Sequence, residues 1–299
     1  MSRRHLVMLL ALASIWGASF MFIKVAVGEL DPATTALGRV ALGALALAAV
    51  VLLRMPAREA ARGLRAAALP IALVGALNSA LPFWLLNWAE TRIESGLAAM
   101  LQASAPLFTA LLALAFVRAE RVSGVRLLGF GLGFGGVALL VGGVPGGSVL
   151  ASLAVLGTAL CYAGAALYAA RRLVGVPTLV TAFGSLAAAT VISLPAGIAR
   201  LPDRAPGWEA IGSVVALGIG GSALAYLLYY AVITGAGASR AILITYLVPP
   251  TALFYGAVVL DEGIGLADLG GLVLILAGVA LGSGTAAGWR RSRVGSLPA

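Results

Sequence analysis

Polar and aromatic side chains interrupt otherwise apolar stretches of the sequence, and their spacing places several of them on shared helical faces. Trp16, Phe20 and Lys24 recur at intervals of four, which puts them on one side of a helix. Aromatic walls with a few hydroxyl, amide and charged groups suit a mostly apolar, amphipathic solute. The side chains that we predict to bind such a solute are Trp16, Ser19, Phe20, Lys24, Ser79, Phe83, Gln102, Tyr162, Tyr226 and Tyr246.

The aromatic residues also fit a second interpretation, in which they pack between helices or anchor the chain at a membrane interface. Interface anchoring suits Trp88, Trp208 and Trp289, because these lie near the ends of apolar stretches. It suits Trp16 and Tyr226 less well, because these lie nearer the middle of theirs. Both interpretations stay open, with solute binding favoured for the second pair.

Two basic side chains lie inside apolar stretches, where a charge is unfavourable. Lys24 is the single lysine among twenty basic residues. It could neutralise a substrate carboxylate, pair with Glu90, or extend to the outer end of its helix. Arg39 is similarly placed in the next stretch, and extension to the interface is favoured for it. Because titratable groups at membrane depth are so few, we predict transport driven by the solute gradient alone.

Prolines interrupt the fourth and ninth apolar stretches and point to breaks in both. A proline inside a helix removes one hydrogen bond and disturbs the carbonyl four residues earlier. In lipid that carbonyl must find another partner or line a cavity, as it does in transporter sites. A kink that serves packing alone is the alternative. The structural prolines are Pro106, Pro249 and Pro250.

Several classes of chemistry are excluded by residue type. The single histidine is His5, near the N-terminus, so a histidine-based triad or metal site is not expected. ATP hydrolysis is not expected either, because no Gly-x-x-x-x-Gly-Lys-Ser/Thr motif occurs. Gly129, Gly131 and Gly133 imitate a nucleotide fingerprint but lie within an apolar stretch, which predicts a helix-packing surface. We therefore expect no cofactor, no metal and no enzymatic activity.

The composition of the chain is that of a membrane protein. Hydrophobic residues make up 61% and charged residues only 10%, whereas a soluble domain usually carries about 25% charged residues. Stretches long enough to cross a hydrocarbon core of about 30 Å predict ten transmembrane helices. Their approximate bounds are 6–27, 33–53, 66–88, 95–117, 123–142, 150–170, 177–199, 209–231, 239–260 and 266–285.

The arginines indicate the orientation of the predicted helices. Loops on one side carry fifteen of them, and loops on the other side carry three, Arg92, Arg200 and Arg204. Because basic loops stay in the cytoplasm, both termini are predicted to be cytoplasmic. The net charge of +9 thus reflects the orientation of the chain in the membrane. The arginines are dispersed over the loops rather than gathered in one domain, which argues against nucleic-acid binding. A cleaved signal peptide ending near Ala13 is a weaker alternative, because the apolar run continues through Phe20.

The two halves of the chain resemble each other at a constant offset. Glu120 and Gly129 recur 142 residues later as Glu262 and Gly271, and a Gly-Val-Ala-Leu run recurs at the same offset. Five spans in each half mean that the second copy crosses the membrane in the opposite sense, an arrangement common in secondary transporters. The predicted units are the repeats 1–142 and 150–285 and a cytoplasmic tail, 286–299.

These features together resemble the drug/metabolite transporter superfamily, EamA type, over the whole chain. The residues that carry the resemblance are Trp16-Gly17-Ala18-Ser19-Phe20, Pro106 with Arg118-Ala119-Glu120-Arg121, and Pro249 with Asp261-Glu262. Within the superfamily the chain is most similar to bacterial exporters of amino acids, including aromatic ones. The resemblance implies an all-α fold of ten transmembrane helices, arranged as two inverted five-helix repeats. It also implies a central cavity built from helices 1, 3, 4, 6, 8 and 9. The expected location of the chain is the bacterial cytoplasmic (inner) membrane.

The predicted function is export of a small metabolite by alternating access, with an aromatic or hydrophobic amino acid favoured. The expected partners are the small-molecule substrate, the lipid bilayer and a second copy in a homodimer, without nucleic acid. One alternative is an integral-membrane enzyme that modifies lipid, but its acids should cluster at one interface. Here the eleven acids are spread singly, apart from Asp261-Glu262. The other alternative is a membrane subunit that does not transport.

Overall fold

The chain forms helices over the residues that the computed structural model describes, which are 2–116, 124–143 and 148–282. Eight helical segments are long and apolar enough to cross a membrane. Two shorter apolar helices follow them, where the ninth and tenth spans are predicted. The predicted all-helical class is confirmed. The eight candidate spans are Arg3–Ala26, Pro32–Arg54, Ala68–Glu90, Ser95–Ala115, Gly124–Gly142, Val149–Arg172, Thr178–Ile198 and Trp208–Ala236.

Some spans contain more than one helix, because a turn or a π-helix divides them. Two π-helices, Ala76–Ala80 and Ala216–Leu224, lie within the third and eighth spans. The α-helices in chain order are α1 (Arg3–Ala26), α2 (Pro32–Arg54), α3 (Ala57–Ala66), α4 (Ala68–Gly75), α5 (Leu81–Glu90), α6 (Ser95–Gln102), α7 (Ala105–Phe116), α8 (Gly124–Gly142), α9 (Val149–Arg172), α10 (Thr178–Ile198), α11 (Trp208–Val215), α12 (Ala225–Ala236), α13 (Ala238–Ala241), α14 (Ile244–Val259) and α15 (Leu266–Gly282).

The starts of the first two helices follow from their capping residues. The Ser2 hydroxyl accepts a hydrogen bond from the amide of His5, 3.4 Å away, at the start of α1. The Asp31 carboxylate accepts one from the amide of Ala33 at 2.8 Å, and Pro32 occupies the first turn of α2. Both arrangements satisfy amides that have no partner within the helix.

The break in the fourth span lies beside its proline, whereas the break in the ninth lies upstream of its prolines. Between α6 and α7 the chain turns at Ala103 and Ser104, and Pro106 is in the first turn of α7, where a missing N–H costs little. Pro249 and Pro250 lie inside α14, whose preceding turn is centred on Ile242.

Helices from the two halves of the chain pack against each other. The principal pairs are α2 with α10, α1 with α14, and α8 with α15. Glycines allow the last pair to approach closely: a Cβ atom added at Gly136 would lie 2.6 Å from the carbonyl oxygen of Gly271. Gly129 also faces α15, and the backbone of Gly133 lies against Gly278 of α15, although a Cβ atom added at Gly133 would meet Leu107 of α7. Gly131 faces open space. The predicted repeat marker Glu120, with Trp289 and the tail, lies outside the described residues.

Candidate functional site

A buried arginine lies at the centre of the polar residues inside the helical bundle. Arg39, on α2, is only 5% exposed. Its Nε donates a hydrogen bond to the Ser222 hydroxyl at 3.2 Å, and its guanidinium carbon lies 3.8 Å from the ring centroid of Phe83. A buried charge requires compensation from neighbouring dipoles, aromatic faces or a bound counter-charge.

The two π-helices supply the other polar groups around Arg39. Asn78, from the first π-helix, donates a hydrogen bond to the hydroxyl of Tyr226 at 2.9 Å. Ser79, next to it, is fully buried, and its hydroxyl has no hydrogen-bond partner in the described part of the chain. Ser222, from the second π-helix, also donates to the carbonyl oxygen of Leu217. Such bulges widen a helix locally and are frequent at functional sites.

A row of aromatic rings extends from this polar centre to α1. The ring centroids of Tyr226 and Tyr230 are 6.4 Å apart, those of Tyr230 and Tyr229 5.9 Å, and those of Tyr229 and Trp16 5.5 Å. The indole nitrogen of Trp16 donates to the carbonyl oxygen of Gly221 at 3.2 Å. The row therefore joins α1 and α12 by ring contacts that suit an apolar solute.

Six of the predicted binding residues lie around this centre or in the aromatic row. Phe83, Tyr162 and Tyr226 pack in one cluster of apolar side chains, and Ser79 is adjacent to it. Trp16 belongs to the row. Ser19, a sixth, is close as well: a Cβ atom added at Gly221 would lie 2.8 Å from its hydroxyl and 3.7 Å from Nη2 of Arg39. The residues brought together are Trp16, Ser19, Ser79, Phe83, Tyr162 and Tyr226.

The remaining predicted residues lie elsewhere in the bundle. Phe20 and Tyr246 pack with a different apolar cluster, which includes residues of α6, α8 and α15. Gln102, the last residue of α6, is half-buried, and neither atom of its side-chain amide has a hydrogen-bond partner among the described residues. Its placement beside the helix break leaves the amide available to a ligand or to water.

Lys24 binds the backbone at the end of α5. Its ammonium donates to the carbonyl oxygens of Glu90 at 2.8 Å and Ile93 at 2.7 Å. Cationic side chains stabilise the C-terminal end of a helix, where carbonyls lack partners. The Glu90 carboxylate is fully buried, and neither oxygen has a hydrogen-bond partner in the described chain. The lysine thus contacts the Glu90 carbonyl rather than its carboxylate.

Glu262 joins the loop after α14 to the start of α6. Its carboxylate accepts hydrogen bonds from the amide and hydroxyl of Ser95, at 2.7 and 2.8 Å, and from the amide of Gly96 at 2.9 Å. A carboxylate at a helix N-terminus satisfies free amides and complements the helix dipole. Nearby, burial and the charges of Glu262 and Asp268 raise the pKa of Glu94 above its ordinary value.

Arg39 and Asn78 are not among the binding residues that the sequence predicts. Arg39 carries the stronger signal, a charge at membrane depth, but its contacts with Ser222 and Phe83 join α2 to distant parts of the chain. In the described ranges no group of three or more His, Cys, Asp or Glu residues is placed to hold a metal ion.

Comparison with known proteins identifies the class to which this arrangement belongs. The model of the EamA-like transporter family matches residues 3–142 and 149–284. The chain therefore belongs to the EamA-like transporter family, which confirms the resemblance to drug/metabolite transporters. A solved crystal structure with 21% sequence identity shares the fold, with a TM-score of 0.64 over 99% of this chain and 100% of the other.

Individual relatives carry transporter names. The chain is 31% identical, over 92% of each chain, to a "Probable terminal-alkyne amino-acid exporter" of Streptantibioticus cattleyicolor. It is 29% identical to an "Uncharacterized inner membrane transporter YedA" of Escherichia coli, covering 83% of this chain and 80% of that one. It is also 27% identical to an "Uncharacterized transporter" of Archaeoglobus fulgidus, over 89% and 94% of the two chains.

Proposed function

We propose that the chain exports an aromatic or hydrophobic amino acid, or a closely related metabolite, from the bacterial cytoplasm by alternating access. The observation that carries the proposal is the buried polar centre of Arg39, Ser79 and the Asn78–Tyr226 pair, beside a row of aromatic rings. This combination provides a complementary environment for a solute that has both a polar group and a hydrophobic side chain. The name of the Streptantibioticus relative supports an amino-acid substrate.

The proposed architecture is ten transmembrane helices in two inverted five-helix repeats, 1–142 and 150–285, around a central cavity. Two features support it. The π-helices begin at Ala76 and Ala216, 140 residues apart, which is close to the sequence offset. The pairing of α2 with α10 and of α8 with α15 brings equivalent helices of the two halves together. A substrate site at the interface of such repeats can open alternately to each side.

We also propose an inner-membrane location with both termini, including the tail 286–299, in the cytoplasm. Arg62→Cys in a Cys161→Ser background should react with an impermeant thiol reagent in inverted vesicles but not in intact cells, since residue 62 lies in a basic loop. Arg204→Cys, exposed on the opposite side, is the control and should show the reverse pattern. Labelling of Arg62→Cys in intact cells would rule out this orientation.

The proposed transport is passive. Arg39 does not release its proton, and the Lys24 ammonium already donates hydrogen bonds to two carbonyl oxygens. Both Lys24 and Arg39 contribute positive charge to the interior of the bundle. Glu90 carries a fully buried carboxyl group. Accumulation driven by an imposed pH gradient, and lost in Glu90→Gln, would contradict a passive mechanism.

Two other functions compete with transport: that of an enzyme that modifies lipid, and that of a membrane subunit that does not transport. A measurement of export from cells distinguishes a transporter from both. Cells that express the chain should release preloaded, labelled phenylalanine faster than cells that carry the empty vector. The difference in net release should vanish when the outside concentration equals the inside concentration, because the gradient drives the net flux. Equal release from both cell populations, for a panel of apolar amino acids, would favour the competing functions.

We also propose that the chain forms a homodimer.

A further inference from the structure

The contacts of Arg39 occupy only part of its guanidinium group. Nε donates to Ser222, and Phe83 covers one face of the guanidinium plane. The bond to Ser222 is the one hydrogen bond that the side chain makes to residues the structure describes, and no carboxylate among them lies within ion-pair distance. The two terminal nitrogens are therefore left for another partner, although the side chain is 5% exposed.

No acid neutralises Arg39 by direct contact. The Glu90 carboxylate is fully buried, and neither of its oxygens has a hydrogen-bond partner among the residues that the structure describes. An arginine is always protonated, so its charge at this depth needs an anion rather than a change of protonation.

The geometry of guanidinium selects the chemistry of that anion. Its terminal N–H groups form a planar fork that matches the two oxygens of a carboxylate. Phe83 and Ser222 hold the plane in place, and the aromatic row beginning at Tyr226 continues from it toward α1. A carboxylate on the fork would thus direct an attached apolar side chain along the rings.

We propose that Arg39 binds the carboxylate of the transported solute and selects substrates that carry one. The inference rests on the proposed function, because it assigns the substrate-recognition role at that same site. It separates Arg39 from Lys24, whose ammonium is already bound to the backbone of Glu90 and Ile93. The class of substrate is a monocarboxylate with a hydrophobic side chain, such as an apolar amino acid.

The test compares L-phenylalanine with L-phenylalaninol, which lacks the carboxylate, in efflux from liposomes that contain the purified chain. The wild type should carry phenylalanine and exclude phenylalaninol. Arg39→Gln should weaken the apparent affinity for phenylalanine by about ten- to a hundredfold, the range for a charge-assisted hydrogen bond. It should also remove the preference between the two compounds. The affinity of Arg39→Lys for phenylalanine should lie between those of the wild type and Arg39→Gln, because lysine keeps the charge but loses the planar fork.

A matched control is Arg92→Gln. Arg92 also lies over an aromatic ring, with its guanidinium carbon 4.0 Å from the centroid of Trp88, but it is exposed between two spans. It should leave affinity and preference unchanged. Unaltered affinity and preference in Arg39→Gln would overturn the inference while export itself stands. If Arg39→Gln fails to fold, equal transport of both compounds by the wild type overturns it. A wild type that carries neither compound overturns the proposed function and this inference with it.

Discussion

Gly278→Ala should destabilise the folded protein by about 2 kcal/mol or more, because its new methyl group would meet the backbone of the facing helix. The added Cβ would collide with Cα and N of Gly133 and would lie 2.7 Å from the carbonyl oxygen of Gly129. Backbone atoms in a packed helix cannot move aside as a flexible side chain can. The collision should therefore exceed the gain of roughly 1 kcal/mol that alanine brings to a helix.

Gly131→Ala, on the facing helix α8, is the matched control. A Cβ atom at this position meets nothing within 4 Å. This variant should be as stable as the wild type or up to about 1 kcal/mol more stable, because only the helix propensity changes. Thermal unfolding of both variants in the same detergent measures the difference. Equal melting temperatures, or a more stable Gly278→Ala, would show that α8 and α15 do not meet at these glycines.

The glycines illustrate what sequence reasoning can establish. Apolar length alone located the helices, since both α8 and α15 fall within predicted stretches. It also predicted a packing surface of glycines, because small residues allow helices to approach. It could not separate Gly131 from Gly133, because the choice depends on which face of α8 meets α15. That pairing is a contact between segments far apart in the chain.

The candidate site shows the same limit more strongly. The sequence predicts Ser79 and Phe83 as binding residues, both are buried, and the Phe83 ring lies against Arg39. The π-helices change the helical period locally, and helical periodicity in the sequence does not mark where a helix widens. Lys24 could be recognised as a charge at depth, but its acceptors are backbone carbonyls, which every sequence offers. Which polar groups meet is therefore decided by tertiary packing.

Tyr226→Ala should reduce substrate flux by about tenfold or more, because it removes both a hydrogen bond and an aromatic ring at the polar centre. The loss leaves the Asn78 amide without the hydroxyl it now contacts at 2.9 Å. It also interrupts the aromatic row at its contact with Tyr230. Tyr226→Phe should have a smaller effect, because the ring remains.

Tyr255→Ala is the control for this variant. Like Tyr226, Tyr255 makes a hydrogen bond through its hydroxyl to another helix: its oxygen lies 2.7 Å from the hydroxyl oxygen of Ser14 on α1. Its ring contacts Phe254, which is not part of the aromatic row. We expect a comparable loss of stability and little loss of flux. Equal flux through the Tyr226→Ala and Tyr255→Ala proteins, both monodisperse in detergent, would mean that the aromatic row serves packing.

We propose that this chain alone carries an apolar amino acid across a bilayer through the centre around Arg39 and Tyr226. The decisive experiment uses liposomes that contain the purified protein and are loaded with labelled phenylalanine, at equal pH on both sides. We expect net efflux that is faster than from protein-free liposomes, that stops at equal concentrations, and that Tyr226→Ala nearly abolishes. Efflux no faster than from protein-free liposomes, across a panel of apolar amino acids, would contradict it.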